Sequence, residues 1–353
     1  LREMGFSVKA VDRAKGVGGT WYWNRYPGAR CDVVSLDYSY SFSDKIQQAW
    51  TWKEKYAAQP EILAYAEFVA RELDLPKDIR FETDIVSMHF DDDTSCWHVT
   101  TGAGDLFIAQ HVVMATGCLS SPKAPDIPGI NDFRGEVYFT SRWPEKLVSF
   151  GGKNVGLIGT GSTGIQALPE LAKQAGRMFV LQRTPSYTLP ARNEPLDPGY
   201  MAQAKQNYAQ RRAEAKNHQS GHLRATTDRK TFSMDEQERR RRFEDAWGRG
   251  GLDIFGEFGD LLIDEKANEE IVRLVHEKID TLVRNPETAA KLMPRSFPFA
   301  GRRICLDTDF YETFNRHNVE LVDVTADPIS HFDEKGVVTK SRRYDLDALV
   351  LAV

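Results

Sequence analysis

The chain has 353 residues, of which 41% are hydrophobic, and its 46 basic against 51 acidic side chains give a formal net charge of −5. This length predicts about two domains with sizeable cores, and the mild acidity gives no support to nucleic-acid binding. No apolar run approaches the ~18 residues of a membrane span, and no signal peptide opens the chain. The four cysteines (Cys31, Cys96, Cys118 and Cys305) include no C-x-x-C pair. Neither a metal site nor a disulfide framework is therefore predicted, and a reducing cytoplasm fits.

The first predicted element is a strand at residues 7–12, which closes with Asp12. In dinucleotide-binding folds an acid at the end of such a strand binds a ribose hydroxyl, and its glycine-rich turn lies roughly 20 residues earlier. The alternative interpretation of Asp12 is an aspartate that starts an ordinary turn. At the other end, residues 348–353 form an apolar strand with no turn after it. We interpret the chain as a fragment that carries the second half of one dinucleotide site.

An aromatic, glycine-rich segment follows at residues 16–32. It contains a glycine pair, a run of three aromatic residues and, after a Pro-Gly turn, a basic and an acidic residue (Gly18, Gly19, Thr20, Trp21, Tyr22, Trp23, Arg30 and Asp32). The glycines let the backbone pass close to a ligand, and the aromatic side chains offer flat apolar faces with polar tips. On these residues alone, a lining against a planar ring system and a well-packed loop are equally good interpretations.

Short alternating strands are predicted at residues 79–81, 85–90, 97–101 and 106–113, with turns between them. This pattern is typical of a β-meander inserted into the first domain. Residues 112–117 predict a further strand that ends in small residues.

The strongest motif of the chain begins with an apolar run at residues 155–158, which predicts a buried strand. Gly159, Gly161 and Gly164 then form G-x-G-x-x-G, a helical pattern follows, and residues 178–181 predict the next strand. Strand, glycine turn, helix and strand is the context in which this motif indicates a dinucleotide site, with the phosphates at the helix N-terminus. The predicted contacts from this segment also include Thr160, Ser162, Thr163 and Gln166.

The residues after the second strand select the nucleotide. NAD sites place an acid there, but this chain has Arg183 and Thr184. A guanidinium beside a hydroxyl suits a 2′-phosphate through charge-assisted hydrogen bonds. A solvated surface arginine is the alternative, and NADP is the predicted ligand.

Residues 195–295 are rich in charge and in helix-forming residues, so a helical insertion is predicted. The arginine run at residues 239–242 is flanked by acidic residues, which favours a solvated helix face over a nucleic-acid site.

These segments together resemble the Baeyer–Villiger monooxygenases. The flavin signature of that family, [A/G]-G-x-W-x4-[F/Y]-P-[G/M]-x3-D, is filled at every fixed position by residues 18–32. Residues 112–117 are similar to the A-T-G motif that connects the two domains of such flavoproteins. Residues 298–311 resemble the segment whose final arginine works at the flavin, where Arg303 takes that place and Arg302 replaces a lysine near the 2′-phosphate. The resemblance covers essentially the whole chain.

One position departs from the family. Residues 133–144 are similar to the fingerprint F-x-G-x3-H-x3-W-[P/D], but Phe139 stands where the family has histidine. Phenylalanine keeps the bulk and loses the hydrogen bonds and the titration. The departure puts the coupling of NADPH oxidation to oxygenation in question.

The resemblance implies an α/β fold with two Rossmann-like dinucleotide-binding domains, one for FAD and one for NADP, with the β-meander and the helical insertion. The predicted boundaries are 1–140 for the FAD domain, 141–330 for the NADP domain with its insertion at about 195–295, and 331–353 for a return to the FAD domain. The implied cofactor contacts are Asp12, Gly18, Gly19, Thr20, Trp21, Trp23, Arg30, Asp32, Tyr38, Gly159, Thr160, Gly161, Ser162, Thr163, Gly164, Gln166, Arg183, Thr184 and Arg302.

The implied activity is the FAD- and NADPH-dependent insertion of one oxygen atom of O2 into a small-molecule ketone, which gives an ester or a lactone. Arg303 is then the fixed cation of the site, and Asp32 positions it by ion pairing. Three alternatives stay open: a flavin monooxygenase acting on nitrogen or sulfur, an uncoupled NADPH oxidase that releases hydrogen peroxide, and a non-catalytic nucleotide-binding remnant. The sequence indicates no nucleic-acid or membrane partner, and neither the ketone nor the oligomeric state follows from it.

Overall fold

The computed structural model describes residues 1–119, 121–218, 221, 223 and 225–353. The strands within those residues are β1 (Ala10–Val11), β2 (Ile79–Arg80), β3 (Ile85–Asp91), β4 (Cys96–Thr101), β5 (Leu106–Ala109), β6 (Glu136–Phe139), β7 (Asn154–Ile158), β8 (Arg177–Gln182), β9 (Thr188–Pro190), β10 (Cys305–Asp307), β11 (Val319–Asp323), β12 (Ile329–Asp333), β13 (Gly336–Thr339), β14 (Arg343–Asp345) and β15 (Ala348–Leu351). The helices are α1 (Thr20–Trp23), α2 (Ser35–Tyr38), α3 (Asp44–Ala49), α4 (Gln59–Glu72), α5 (Ser162–Gln174), α6 (Pro198–Gln206), α7 (Tyr208–Lys216), α8 (Glu236–Arg249), α9 (Glu265–Leu282), α10 (Pro286–Leu292) and α11 (Phe310–Thr313). Among the described residues, none of these helices combines the length and the apolar character that crossing a membrane requires.

The chain divides into two compact units. Unit 1 comprises Leu1–Arg25 and Gln59–Ser121, and unit 2 comprises Tyr26–Ala58 and Pro122–Val353. The predicted boundaries at residues 140 and 330 are assignments to cofactors, which this division does not test, and they stay predictions.

Unit 1 contains the short helix α1, the longer helix α4 and two small sheets. Strands β1 and β2 pair in parallel, and β3, β4 and β5 form the predicted antiparallel meander. Ile62, Tyr65 and Val69 recur at helical spacing along α4 and are buried. This spacing places them on one face, so α4 turns an apolar stripe toward the interior of the unit.

The strand predicted at residues 112–117 does not form. Val113 and Met114 in this segment are 73% and 61% exposed. A strand satisfies its backbone groups through neighbouring strands, and no strand of the described part of unit 1 pairs with this segment. For the same reason the strand predicted at residues 7–12 is reduced to Ala10–Val11, and β5 ends at Ala109.

Unit 2 is organised around a five-stranded sheet in the order β11-β8-β7-β15-β6, in which every pair is parallel. Helix α5 connects β7 to β8 and places Ile165, Leu168 and Leu171, all 0% exposed, in the larger apolar core of the unit. A second apolar cluster includes Phe179, Leu349 and Leu351 of the sheet. Apolar residues on both faces are the expected pattern for a parallel sheet.

Strand β15 lies between β6 and β7 in the sheet that carries the glycine turn. Its residues Ala348–Leu351 are all buried. A strand that is apolar on both faces is stable where neighbours pair with both of its edges, and this site supplies them. The expectation that residues 331–353 return to the FAD domain is an assignment to a cofactor, and it stays a prediction.

The segment predicted to be helical holds α6, α7, α8, α9 and α10, and residues 219, 220, 222 and 224 of it lie outside the described residues. The arginine run on α8 is paired with acidic side chains throughout, for example Arg240 with Glu277 and Arg241 with Glu238. Arg239 is an exception to the predicted solvated helix face, because it is buried and pairs with Glu270 at 3.1 Å.

Candidate functional site

The glycine turn of unit 2 follows β7 and leads into α5. Gly159 has φ +110°, and a Cβ there would lie 2.3 Å from the carbonyl oxygen of Ala352. A Cβ on Gly164 would lie 2.0 Å from the carbonyl oxygen of Gly159, so α5 packs directly on the turn. At Gly161 a Cβ would meet no atom of the described residues within 4 Å. The first and third glycines therefore serve close packing, and the second leaves open space.

The N-terminus of α5 faces this open space. Its cap residue is Gly161, and no side chain of the described residues caps the first turn. The first N–H groups of a helix have no partner within the helix and carry its partial positive charge. Together with the open backbone at the second glycine, they form a site suited to a phosphate group.

Two residues after β8 stand at the same end of the sheet. Arg183 is exposed, and among the described residues its guanidinium has no ion-pair partner. Thr160 Oγ1 donates to the carbonyl oxygen of Thr184 at 2.9 Å, which ties the glycine turn to the segment after β8. The glycine turn, Arg183 and Thr184 thus lie together at the carboxyl ends of the parallel strands β7 and β8.

The loop at residues 26–32 packs against α5. Gly28 has φ +84°, and a Cβ there would lie 2.2 Å from the carbonyl oxygen of Gln166. The side chain of Gln166 contacts Tyr26, Arg30 and Asp32 of the loop. The sequence predicts Gln166 as a nucleotide contact, and in the structure its side-chain amide makes four hydrogen bonds to this loop.

Asp32 and Arg303 form the one predicted catalytic pair, and the structure brings them together. Asp32 Oδ2 accepts from Arg303 Nη2 at 3.3 Å, and Asp32 Oδ1 accepts from Gln166 Nε2 at 3.2 Å. The Asp32 side chain is 9% exposed, whereas that of Arg303 is 72% exposed. Burial raises the pKa of Asp32 to about 6, against the opposing effect of Arg303. The guanidinium of Arg303 is thus paired with a buried carboxylate, while most of its side chain remains exposed.

The strand that follows Arg303 has its own buried anchor, which sequence reasoning missed. Asp307, the last residue of β10, accepts from Thr188 Oγ1 of β9 and from the backbone N–H of Phe310. Burial raises the pKa of Asp307 to about 7. Cys305 of the same strand contacts Ser162 of α5, with Sγ and Oγ 3.0 Å apart. Because Thr188 lies 119 residues from Asp307 and Ser162 lies 143 residues from Cys305, no local pattern could have indicated these two contacts.

Two predicted cofactor residues have other partners. The guanidinium of Arg30 donates to Glu54 and to the carbonyl oxygen of Tyr56. Arg302 lies with its guanidinium 4.6 Å from the ring centroid of Phe297, a cation–π contact. Tyr38 ends α2 and is 40% exposed.

Unit 1 holds the remaining predicted contacts. Asp12 follows β1, and its Oδ1 accepts from the backbone N–H of Ala14 at 2.8 Å, which is the turn geometry left open by the sequence. Gly18 and Gly19 have φ +121° and +51° and lead into α1, which carries Thr20, Trp21 and Trp23. Both tryptophans are partly buried. The glycine pair therefore adopts the backbone that only glycine takes readily.

Phe139 closes β6 and is partly buried. It pairs in register with Leu351 and packs against the apolar cluster that contains Leu349. The aromatic ring therefore contributes to the core at a position where the family fingerprint has histidine. Among the described residues, no group of three or more histidine, cysteine, aspartate or glutamate side chains is placed to hold a metal ion.

Comparisons with known proteins agree with this geometry. The model of the family described as flavin-binding monooxygenase-like matches residues 41–207. The phenazine N-monooxygenase of Lysobacter antibioticus is 40% identical over 99% of this chain and 65% of its own length. A Baeyer–Villiger monooxygenase of Pseudooceanicola batsensis is 39% identical over 99% of this chain. A crystal structure of OTEMO in complex with FAD and NADP is 36% identical, with a TM-score of 0.96 over 100% of this chain and 67% of that one.

The chain spans 64–66% of the length of the first curated relatives that it matches. Its likeness to the solved structure confirms the predicted α/β class with Rossmann-type domains. From these relatives and from the motif residues placed above, the chain belongs to the Baeyer–Villiger monooxygenase family of flavin-binding monooxygenases.

Proposed function

We propose that the protein is an FAD- and NADPH-dependent Baeyer–Villiger monooxygenase, which inserts one oxygen atom of O2 into a small-molecule ketone and forms an ester or a lactone. The observation that carries this proposal is the pair of a buried Asp32 with an exposed Arg303. Family membership supports it, and so does the relative whose structure contains FAD and NADP.

The residues of unit 2 fit an NADP molecule. The open backbone at Gly161 and the uncapped N-terminus of α5 suit its pyrophosphate. Arg183 and Thr184 follow β8 and suit the 2′-phosphate, for which a guanidinium offers bidentate hydrogen bonds. Ser162, Thr163 and Arg302 complete the proposed set. Gln166 is left out of it, since its amide already has four partners.

The residues of unit 1 fit part of an FAD site. A Cβ at Gly19 would meet no atom of the described residues within 4 Å, so its backbone is open to a ligand, and Trp21 and Trp23 supply flat faces. Asp12 accepts from Ala14 through Oδ1, and no hydrogen bond from the described residues reaches its Oδ2, so Oδ2 suits a ribose hydroxyl. When bound, NADPH supplies a hydride and FAD activates O2, chemistry that side chains alone do not provide.

In this proposal, Arg303 stabilises the negative charge that develops during the reaction, and Asp32 positions its guanidinium. A guanidinium stays charged at every working pH, so Arg303 can stabilise the negative charge that develops on the ketone oxygen. Asp32 holds the guanidinium from one side, which reduces the reorganisation needed when that charge develops. Because burial raises the pKa of Asp32 to about 6, this ion pair is fully formed only above that pH.

The test measures NADPH consumption and hydrogen peroxide release by the full-length protein, purified with FAD, with and without a simple cyclic or aryl ketone. We expect ketone-stimulated consumption, little peroxide and an ester or lactone detected by mass spectrometry. Arg303→Ala should lower ester formation about a hundredfold or more. The control Arg343→Ala removes an exposed arginine paired with Asp333 and Asp345 and should leave the rate unchanged. Normal ester formation by Arg303→Ala would refute the assignment.

The phenazine N-monooxygenase relative favours a second candidate, oxygenation of a ring nitrogen. Incubation with a phenazine in place of the ketone separates the two, because the product is then an N-oxide. Consumption that is matched by peroxide and indifferent to either substrate would instead indicate an uncoupled oxidase. For an uncoupled oxidase, the next comparison is the ratio of peroxide to ester in wild type and Phe139→His. Absence of bound flavin in the purified protein would indicate a nucleotide-binding remnant.

We also propose a cytoplasmic location. All four cysteines are free, which suits a reducing compartment.

A further inference from the structure

The side chain of Gln166 uses its full hydrogen-bonding capacity on the loop at residues 26–32. Its Oε1 accepts from the hydroxyl of Tyr26 at 2.9 Å and from the backbone N–H of Arg30 at 3.2 Å. Its Nε2 donates to the carbonyl oxygen of Arg30 at 3.1 Å and to Asp32 Oδ1 at 3.2 Å. The backbone N–H and C=O of Arg30 fix which end of the amide donates, so its orientation is determined. An amide has two N–H donors and one oxygen with two lone pairs, and all are used here.

The loop is also held at the backbone. Gly28 approaches the carbonyl oxygen of Gln166 so closely that a Cβ would lie 2.2 Å from it. Side chain and main chain of one residue of α5 therefore fix the loop that ends in Asp32.

These contacts connect the helix that follows the glycine turn to the guanidinium of Arg303. Gln166 lies in the second turn of α5, whose N-terminus is the proposed phosphate site. It holds one oxygen of Asp32, and the other oxygen of Asp32 holds Arg303. A change in the orientation of the amide would rotate the carboxylate and release the guanidinium.

We propose that Gln166 is a positioning residue of the oxygenation site, which orients the Asp32–Arg303 pair and does not bind the nucleotide. This inference rests on the proposed function for its role in catalysis. Its structural part, that Gln166 holds the loop of Asp32, rests on the contacts alone.

The sharpest variant is Gln166→Glu, which keeps the size and the acceptor oxygen and loses both donors. It places a second carboxylate against Asp32. Two adjacent carboxylates raise the pKa of the pair, so that they share one proton near neutral pH and lose it as the pH rises. With one shared proton, the two carboxyl groups together carry one negative charge, as the native Asp32 does. The shared proton also restores the hydrogen bond between residues 32 and 166. The charged and titratable groups that face Asp32 are Arg303, Tyr26, Tyr56, Cys31 and Cys305.

The expected result is a kcat for ester formation about tenfold below wild type at pH 8.5 and within about threefold at pH 6.5, with KM for NADPH within about twofold. Gln166→Met fills the same volume without hydrogen bonds, and its ratio to wild type should not change with pH. Gln174→Glu is the matched control, since Gln174 is exposed at the end of the same helix and lies outside the loop contacts. A ratio for Gln166→Glu that is independent of pH, or a raised KM with normal kcat, would overturn the proposal.

A second readout does not depend on activity. Cys31 is buried in the loop, and its backbone N–H donates to the carbonyl oxygen of Ala57. Alkylation by iodoacetamide at pH 8, followed by mass spectrometry of the Cys31 peptide, should be about tenfold faster in Gln166→Glu and Gln166→Met than in wild type or Gln174→Glu. Exposed Cys118 serves as the internal standard. Unchanged protection of Cys31 in the two Gln166 variants would contradict the proposal that Gln166 holds the loop. This readout applies even if wild type shows no ketone-dependent turnover, a result that would refute the proposed function alone.

Discussion

Replacing Asp32 by asparagine should make the protein more stable and less active at the same time. The substitution keeps the shape and removes the charge of a carboxylate that is 9% exposed. Burial, the largest influence, raises the pKa of Asp32 from 3.8 to about 6, so Arg303 and the hydrogen bonds compensate the desolvation only in part. The ionised side chain therefore costs the folded state free energy, which the variant recovers.

The magnitude follows from the shift of the pKa. A raised pKa means that the folded state binds the proton more tightly than the unfolded state, so stability falls as pH rises between about 4 and about 6. Above that window the cost is constant at about 3 kcal/mol, because one pKa unit is about 1.4 kcal/mol. For a chain of this size the gain corresponds to roughly 4 °C or more in Tm. Ester formation should fall about tenfold or more, since Arg303 is no longer held.

Thermal unfolding of wild type and Asp32→Asn, measured in steps from pH 4.5 to 8.5, checks the stability. The difference in Tm should be small at pH 4.5 and reach its full value above about pH 6. Asp92→Asn, at an exposed turn position of unit 1, is the control and should track wild type. A variant that is less stable than wild type at pH 8, or a difference that is constant with pH, would refute the reasoning from burial.

Three further outcomes are expected. Gly28→Ala should destabilise unit 2 by about 2–4 kcal/mol in thermal unfolding, because its Cβ would overlap a carbonyl oxygen of α5 and the backbone has a positive φ. The control Gly152→Ala, with φ +73° and no atom of the described residues within 4 Å of its Cβ, should cost only about 1 kcal/mol. Equal losses in the two variants would contradict the close packing at Gly28. Arg183→Ala should raise KM for NADPH about tenfold to a hundredfold and leave KM for NADH nearly unchanged in steady-state assays, and a parallel rise in both would argue against a 2′-phosphate contact. Thr188→Val should lower the free energy of unfolding by about 2 kcal/mol at pH 8, because the hydroxyl donates to the carboxylate of Asp307. The loss should be smaller at pH 6, where Asp307, with a pKa of about 7, is protonated. A loss independent of pH would mean that the hydroxyl does not stabilise the ionised carboxylate.

The elements that the sequence predicted correctly are those encoded by short-range patterns. The apolar run, the glycine spacing and the helical period identified β7, the turn and α5, because each depends on residues a few positions apart. The alternating residues of β3, β4 and β5 predicted the meander for the same reason. The predicted pair of Asp32 and Arg303 came from the resemblance, since nothing local links residues so far apart.

The tertiary structure alone decided which strands are neighbours and which polar groups meet. It placed β15 between β6 and β7, left residues 112–117 without a strand partner, and assigned the amide of Gln166 to the loop that holds Asp32. Each of these outcomes depends on packing between segments distant in the chain. Hydrophobic period and turn chemistry constrain how a segment folds, but the partners of a buried edge or amide are set only when the remaining segments have packed around it.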